Sequence, residues 1–317
     1  MTQLRIGAVL WSQATDWAGF LSAAQRADEL GYDSIWTWDH LYAIFGEPDQ
    51  PIVEGYTALA GLAMGTEKAG IGLLVGANTF RNPGLVAKSV ITVDHMSAGR
   101  AILGLGGAWF GLEHTAFGID FGTGFGQRLD WMDEATVAIR SLLDGKTVSS
   151  EDEGRYDFRD LHLNPLPVQK HLPIMIGGSG ERKTLRTVAA YADQWNAFGS
   201  PETLAHKDEV LRSHCEDVGR NHEKIERTVG AKIVIRDTEA EARRVLEDLM
   251  DHNRTPMADI KEDDTFWVGT SDEMTEKLLA YREVGFHTVL VEMPAPYDRE
   301  TMERLVEVVR PAVDSAS

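Results

Sequence analysis

Short apolar runs alternate along the chain with longer segments in which apolar residues recur at helical spacing. The apolar runs lie at residues 5–11, 34–40, 70–77, 101–108, 173–178, 193–198, 228–235 and 287–292. Nearly continuous apolar runs of this length are typical of parallel strands that are covered on both faces. The pattern therefore predicts eight β-strands with helical segments between them.

The helical segments carry the expected end signals. They lie at residues 16–30, 57–66, 84–98, 127–143, 182–192, 202–220, 239–252, 272–284 and 299–309. Asp16 precedes the first helix and Gly31 follows it, while Thr270 and Glu273 have the spacing of a capping box. Alternating β and α units over the whole chain favour a single (β/α)8 TIM barrel over a doubly wound sheet.

The polar stretch 146–172 stands apart from this alternation and predicts an insertion before the fifth strand, in the form of a small hairpin. Two long βα loops, at residues 42–56 and 110–125, are candidate lids. Because no proline-rich linker divides the chain, we expect residues 1–317 to form one domain.

Composition and charge remove several classes of function. With 43% hydrophobic and 26% charged residues, the 317-residue chain is typical of a globular protein. A net charge of −19 repels phosphate backbones and anionic membranes, so we expect neither nucleic acid nor a membrane as partner. The single cysteine, Cys215, excludes an intramolecular disulfide and lies in a helical stretch as a packing residue. Without a signal-peptide pattern, the chain is expected in the cytoplasm.

The ends of the predicted strands carry the candidate chemistry, since barrel enzymes build their active sites at the carboxyl ends of the strands. Aromatic side chains, glycines and one Asp-His pair meet there: Trp11, Trp38, Asp39, His40, Gly76, Gly106, Gly107, Ala108, Trp109, Gly177, Gly178, Ser179 and Gly180. Glycine lets a ligand approach the backbone closely, and tryptophan supplies apolar area. These strand ends predict a slot for a flat, partly apolar molecule with an anionic tail.

The strand ends carry no intact dinucleotide-binding motif, and the sequence shows no metal-binding motif. Trp109 stands where a dinucleotide fingerprint beginning at Gly104 needs its third glycine, and the histidines show no metal-ligand spacing. The turn from Gly177 to Gly180 leads into a helix that starts near Arg182. It is either an anion site made of backbone amides or a glycine-rich connection, and its late position in a barrel favours the anion site.

His40 has two interpretations. It either closes a strand through structural hydrogen bonds or relays a proton at the barrel mouth. Trp36, Trp38 and His40 share one face of the strand, whereas Ile35, Thr37 and Asp39 share the other.

Several motifs in order resemble the bacterial luciferase-like superfamily, and the match covers nearly the whole chain. They are Trp-Thr-Trp-Asp39-His40-Leu, Asn78-Thr-Phe-Arg-Asn-Pro83, Asp94-His-Met-Ser-Ala-Gly-Arg100, the Gly-Leu-Gly-Gly turn, Pro173-Ile-Met-Ile-Gly-Gly-Ser-Gly180 and Ala192-Asp-Gln-Trp-Asn196. The resemblance implies a barrel that binds either reduced FMN or the deazaflavin coenzyme F420, and it is closer to the deazaflavin branch.

The resemblance also implies roles for particular residues. Asp39 and His40 would lie beside the cofactor ring, and a cis peptide bond at Leu74–Val75, followed by Gly76, would press on its back face. The backbone at Gly106, Gly107 and Ala108 would line the ring edge. The turn of Gly177, Gly178, Ser179 and Gly180 would hold the phosphate. A homodimer is the oligomer that the family implies.

One position departs from the family. Sugar-phosphate dehydrogenases of this branch have a catalytic glutamate in the strand-four turn, where Trp109 stands here. Trp11, Trp38 and Trp109 instead indicate an apolar or aromatic substrate. We therefore expect an oxidoreductase that transfers hydride between coenzyme F420 and a small organic molecule, with His40 handling the proton. An FMN-dependent two-component monooxygenase and a deazaflavin-binding protein without turnover are the alternatives.

Overall fold

In the computed structural model, which describes residues 3–150, 154–260 and 265–316, parallel strands close into a barrel. The strands are β1 (Arg5–Leu10), β2 (Ser34–Thr37), β3 (Gly70–Leu73), β4 (Gly76–Ala77), β5 (Ala101–Gly106), β6 (Ile174–Gly177), β7 (Gln194–Ala197), β8 (Glu226–Ile235), β9 (Phe266–Gly269) and β10 (Thr288–Met293). Pairing of β10 with both β1 and β8 closes the ring. The predicted (β/α)8 barrel is confirmed, with β4 continuing the path of β3.

Helices cover the outside of the barrel. They are α1 (Trp17–Leu30), α2 (Gly55–Gly65), α3 (Pro83–Met96), α4 (Gly111–Phe117), α5 (Phe125–Leu143), α6 (Thr184–Tyr191), α7 (Pro201–Asp217), α8 (Glu239–His252), α9 (Ser271–Glu283), α10 (Arg299–Arg304) and α11 (Arg310–Ser315). A π-helical segment, Leu305–Val309, joins the last two. The predicted cap at Asp16 and the capping box of Thr270 and Glu273 are confirmed.

Two elements escaped the sequence analysis. Strand β9 pairs in parallel with the second half of β8, outside the closed ring, and its four residues are too few to show a period. Helix α4 occupies part of the loop 110–125 that was predicted as a lid. In the predicted insertion 146–172, Val148 and Leu161 form an antiparallel bridge. Residues 151–153 of that insertion lie outside the described residues.

Strand alternation divides the core into two parts. Side chains such as those of Ile6, Ala8 and Ile35 pack outward against the helices, within the larger cluster of buried residues. The inner cluster fills the barrel and includes Val9 and Trp36 from neighbouring strands. Because parallel strands align at one end, the residues just beyond the inner cluster converge on a single site.

Candidate active site

A cavity of about 360 Å³ opens at the carboxyl ends of the barrel strands. Its lining comes from strand ends and loops that are far apart in sequence. Among the predicted site residues it includes Trp38, Asp39, His40, Leu74, Val75, Gly76, Gly106, Gly107, Ala108, Trp109, Gly177 and Gly178. The structure thus brings most of the predicted set together around one space.

Glycines on two strands allow Val75 to pack at the cavity wall. The peptide bond between Leu74 and Val75 is cis, as the resemblance predicted. A Cβ atom at Gly106 would lie 2.5 Å from one Val75 methyl, and one at Gly177 would lie 3.1 Å from both methyls. Side chains at those two positions would displace Val75, so glycine is required for this wall. The result is an apolar surface of glycine backbone and the Val75 methyls, which suits a flat ring.

His40 is held by a carboxylate that the sequence analysis did not single out. Nδ1 of His40 lies 3.0 Å from Oε1 of Glu113, and the backbone N–H of Leu41 donates to Oε2 at 2.8 Å. Glu113 is 1% exposed, so these contacts fix its position. A carboxylate partner at Nδ1 keeps the Nδ1 proton on the ring, which leaves Nε2 of the neutral imidazole as a proton acceptor.

Three aromatic rings contact His40 at their edges. Trp109, Phe110 and Trp38 have ring centroids 5.6, 6.1 and 6.3 Å from the imidazole, all near perpendicular. Glu113 and these rings together restrict the orientation of the imidazole. His40 is therefore a positioned titratable group at the cavity and not an unsupported surface histidine.

Asp39 and His40 both follow the end of β2 and line the cavity, but their side chains have different partners. Its carboxylate accepts from the Arg81 guanidinium at 2.7 and 3.0 Å and from the backbone N–H of Ala77 at 2.9 Å. Arg81 also pairs with Glu54. Burial works against the Arg81 charge, but the two carboxylates outweigh it and raise the pKa of Arg81 above its ordinary value. Asp39 thus fixes the backbone at Ala77, and its oxygens already have partners.

The three predicted pocket tryptophans occupy different places. Trp38 and Trp109 line the cavity, and Trp109 is 60% exposed at its mouth. Trp11 does not line it, which corrects the prediction. Its ring is fully buried, stacks on Phe45 at 4.3 Å between centroids and donates from Nε1 to Glu292 at 2.7 Å. Trp11 directly follows β1, whose neighbour β10 brings Glu292 beside it, so Trp11 supports the wall from behind.

The glycine turn after β6 fits the predicted anion site only in part. Gly178 lines the cavity with φ of 121°, but its backbone N–H donates to the carbonyl of Asn196 at 2.9 Å. That amide is therefore occupied by the sheet and does not face a ligand. Ser179 and Gly180 lie outside the cavity lining, and the helix begins at Thr184, two residues later than predicted.

Three titratable residues of the lining were missed: Glu113, Lys232 and Glu292. Glu113 lies in the first turn of a short helix that the sequence pattern did not reveal. Glu292 did carry a signal, because an acidic residue near the carboxyl end of an otherwise apolar strand needs a partner or a function. Lys232 interrupts the apolar run of β8 in the same way.

A closed barrel that gathers backbone surface, aromatic rings and titratable side chains at this end belongs to the class of ligand-binding (β/α)8 barrels. Comparison with known proteins makes the class specific. The chain belongs to the luciferase-like monooxygenase family, whose model matches residues 1–288. The family resemblance found in the motifs is thereby confirmed.

Proteins similar to this chain carry two kinds of cofactor in their names. An F420-dependent glucose-6-phosphate dehydrogenase of Microbacterium testaceum is 25% identical over 302 residues, covering 88% of each chain. An F420-dependent secondary alcohol dehydrogenase superposes with a TM-score of 0.84 at 20% identity, covering 98% of this chain and 99% of that one. The FMN-bound oxygenating component of 3,6-diketocamphane monooxygenase from Pseudomonas putida superposes with a TM-score of 0.76 at 17% identity. The superposition covers 98% of this chain and 99% of that one.

Some matches are partial. An uncharacterised Mycobacterium tuberculosis protein is 28% identical over 148 residues, which span 45% of this chain and about half, 49%, of that protein. Among the residues that the structure describes, no group of three His, Cys, Asp or Glu side chains could hold a metal ion. Within the same residues, no helix has the length and apolar character needed to cross a membrane.

Proposed function

We propose that this protein is an oxidoreductase that uses coenzyme F420 to transfer hydride to or from a small apolar or aromatic organic molecule. The observation that carries the proposal is the His40–Glu113 pair at the edge of a cavity walled by backbone and aromatic rings. The positioned imidazole can exchange the proton that accompanies hydride transfer.

The residues present fit a flat, tricyclic cofactor. Val75 packs over Gly106 and Gly177 and forms a compact apolar wall, and Ala108 and Gly76 continue it. Bound coenzyme F420 would supply or accept the hydride. The chain itself would orient the ring through Leu74 to Gly76 and Gly106 to Ala108, and Trp38 and Trp109 would exclude water from the substrate.

Cofactor choice tests this proposal directly. Purified protein is titrated with oxidised coenzyme F420 and with reduced FMN under anaerobic conditions, and fluorescence gives both dissociation constants. We expect tighter binding of F420, followed by hydride exchange with ketones, enones or alcohols. A preference for reduced FMN together with oxygen consumption would instead support a two-component monooxygenase, the alternative favoured by the likeness to the FMN-bound barrel.

Two further outcomes are informative. Binding of F420 without turnover of any ketone, enone or alcohol tested would indicate a binding protein, and binding of neither cofactor would refute the proposal. A small-molecule substrate and a homodimer complete the proposal, and sedimentation of the purified protein checks the dimer.

A further inference from the structure

Two charged side chains line the same cavity deeper in the barrel, and the function proposed above leaves them without a role. Lys232 of β8 and Glu292 of β10 are partners in the strand register. In the strand register Glu292 is also paired with Val9, and Val9 is paired with Trp36. His40 comes four residues after Trp36 along the chain, so Glu292 and Lys232 lie closer to the barrel interior.

Glu292 is held in place by indole donors alone, from Trp11 and Trp38, and by no backbone N–H group. It is 7% exposed, and its Oε2 accepts a hydrogen bond of 2.7 Å from the Trp11 indole. Trp11 is itself fixed between the rings of Phe45 and Trp38. Burial raises the pKa of Glu292, although the Lys232 charge, the indoles of Trp11 and Trp38 and the His40 charge act in the opposite direction. Its side chain therefore keeps its proton to higher pH than an ordinary glutamate.

Lys232 is positioned by aromatic rings instead of by an acid. Its Nζ lies 4.7 Å from the ring centroid of Phe266 and 5.7 Å from that of Phe45. Lys232 is paired with Glu292 in the strand register and acts on it electrostatically, although no ion pair within 4.0 Å joins Lys232 to a carboxylate of the described residues. Both groups therefore present polar atoms to the cavity, and an atom between them could contact both.

We infer that Glu292 and Lys232 bind an oxygen atom of the substrate at the inner end of the cavity, and that Glu292 is a catalytic residue that exchanges a proton with that oxygen. The inference rests on the proposed function, since hydride comes from a reduced flavin or deazaflavin. It names the substrate class as ketones and the corresponding secondary alcohols.

The proposed step adds one hydride and one proton to a ketone. When the carbonyl carbon gains a hydride, a C–H bond forms and the π pair of the C=O bond moves to the oxygen. That oxygen takes the proton of Glu292, which becomes a carboxylate near the Lys232 ammonium. His40, which lines the same cavity and acts electrostatically on Glu292, would then pass a proton from solvent to restore it. Alcohol oxidation follows the same path in reverse. Charge on Lys232 favours the transition state because negative charge develops on the oxygen.

The first test needs neither cofactor nor substrate. Infrared spectra of the apo protein are recorded from about pH 4 to about pH 9, across and above the ordinary glutamate pKa of about 4.3. We expect a protonated carboxyl band that persists above that pKa and is absent from Glu292→Gln, which keeps the size and an acceptor for Trp11. Glu226→Gln, at the opposite end of β8, is the matched control and should retain the band.

The second test measures reaction. Acetophenone and 1-phenylethanol are supplied with whichever cofactor binds, for wild type, Glu292→Gln, Lys232→Met and Glu226→Gln. We expect Glu292→Gln to lose roughly 10²–10⁴-fold in turnover number. Its cofactor dissociation constant should stay within about twofold of wild type, and the pH–rate profile should lose one limb. Lys232→Met should raise KM for the ketone, whereas Glu226→Gln should behave like wild type.

The outcomes separate this inference from the function on which it rests. If neither cofactor binds, the function fails, and the infrared band still decides whether Glu292 is a protonated acid. If the protein turns over and Glu292→Gln matches wild type, the function stands and the inference is overturned. If neither probe reacts, equal affinity of the cofactor-loaded protein for acetophenone and ethylbenzene overturns the inference. A band that remains in Glu292→Gln also overturns it.

Discussion

At the amino ends of the barrel strands, Asp28 accepts three backbone N–H groups, from Glu67, Lys68 and Ala69, at 2.8, 3.0 and 2.7 Å. At the carboxyl ends, the similarly buried Glu292 accepts no backbone N–H group; its donors are the indoles of Trp11, at 2.7 Å, and Trp38. Burial raises the pKa of both carboxyls. The backbone N–H groups outweigh it at Asp28 and lower the pKa there, whereas burial prevails at Glu292.

This difference shows how one fold separates stability from chemistry. A carboxylate whose oxygens are all satisfied is fixed in its ionised form and joins neighbouring segments of chain. A carboxyl group that lines a cavity and accepts no backbone N–H group can exchange a proton or contact a ligand. Perturbed acids at the carboxyl ends of the strands are therefore functional candidates, and those at the amino ends are structural ones.

The largest expected effect is at His40. We expect His40→Asn to lower the turnover number by roughly 10²–10⁴-fold, because the variant keeps a polar side chain near Glu113 but cannot exchange a proton. Single-turnover rates and thermal midpoints are measured together, with His40→Ala beside it. A His40→Asn enzyme that melts earlier yet turns over normally would place His40 among the structural residues.

At the opposite end, Asp28→Asn should cost about 1–3 kcal/mol of unfolding free energy, because the amide cannot accept three backbone N–H groups as the carboxylate does. Turnover per folded molecule should stay unchanged. Urea midpoints and activity of the same samples check both statements. Asp49→Asn, at an exposed position, is the control and should stay within about 0.5 kcal/mol of wild type. Lost activity without lost stability in Asp28→Asn would contradict the comparison.

The aromatic mouth should contribute a smaller amount. Trp109→Ala removes a ring that is 60% exposed at the cavity, so we expect weaker binding of an aromatic ligand by about 0.5–1.5 kcal/mol with little change in thermal midpoint. Trp17 is 41% exposed and does not line the cavity, so the Trp17→Ala variant should bind the aromatic ligand with wild-type affinity. Equal losses in both variants would show a general effect of surface tryptophan.

The smallest effect is the pH dependence of stability, which has opposite signs at the two ends. Glu292 has a raised pKa, so its contribution is present below the ordinary glutamate pKa and is lost as pH rises through the folded value. Asp28 has a lowered pKa, so its contribution is present above the ordinary aspartate pKa and is lost as pH falls. Urea midpoints measured across pH check this. The stability of Glu292→Gln relative to wild type should increase as pH rises, and the stability of Asp28→Asn relative to wild type should increase as pH falls.

Local patterns allowed much of the fold to be predicted. The eight strands of the ring follow from apolar runs, because burial on both faces needs apolar residues at consecutive positions. Asp16 and the Thr270–Glu273 box were readable since caps depend on a few neighbouring residues. The cis bond at Leu74–Val75 came from family motifs and not from periodicity. Strand β9 was missed because its four residues pair only with a distant part of β8.

The sequence by itself determined the barrel, the end of it that carries chemistry, and the presence of His40 and the glycines there. Only the tertiary structure decided which carboxylates meet in the cavity. Glu113 reaches His40 across 73 residues and Glu292 reaches Trp11 across 281, and no local period encodes contacts of that separation. The tertiary structure also placed Trp11 behind the cavity wall. It paired the Gly178 N–H with the Asn196 carbonyl, because strand pairing satisfies backbone groups before any ligand can.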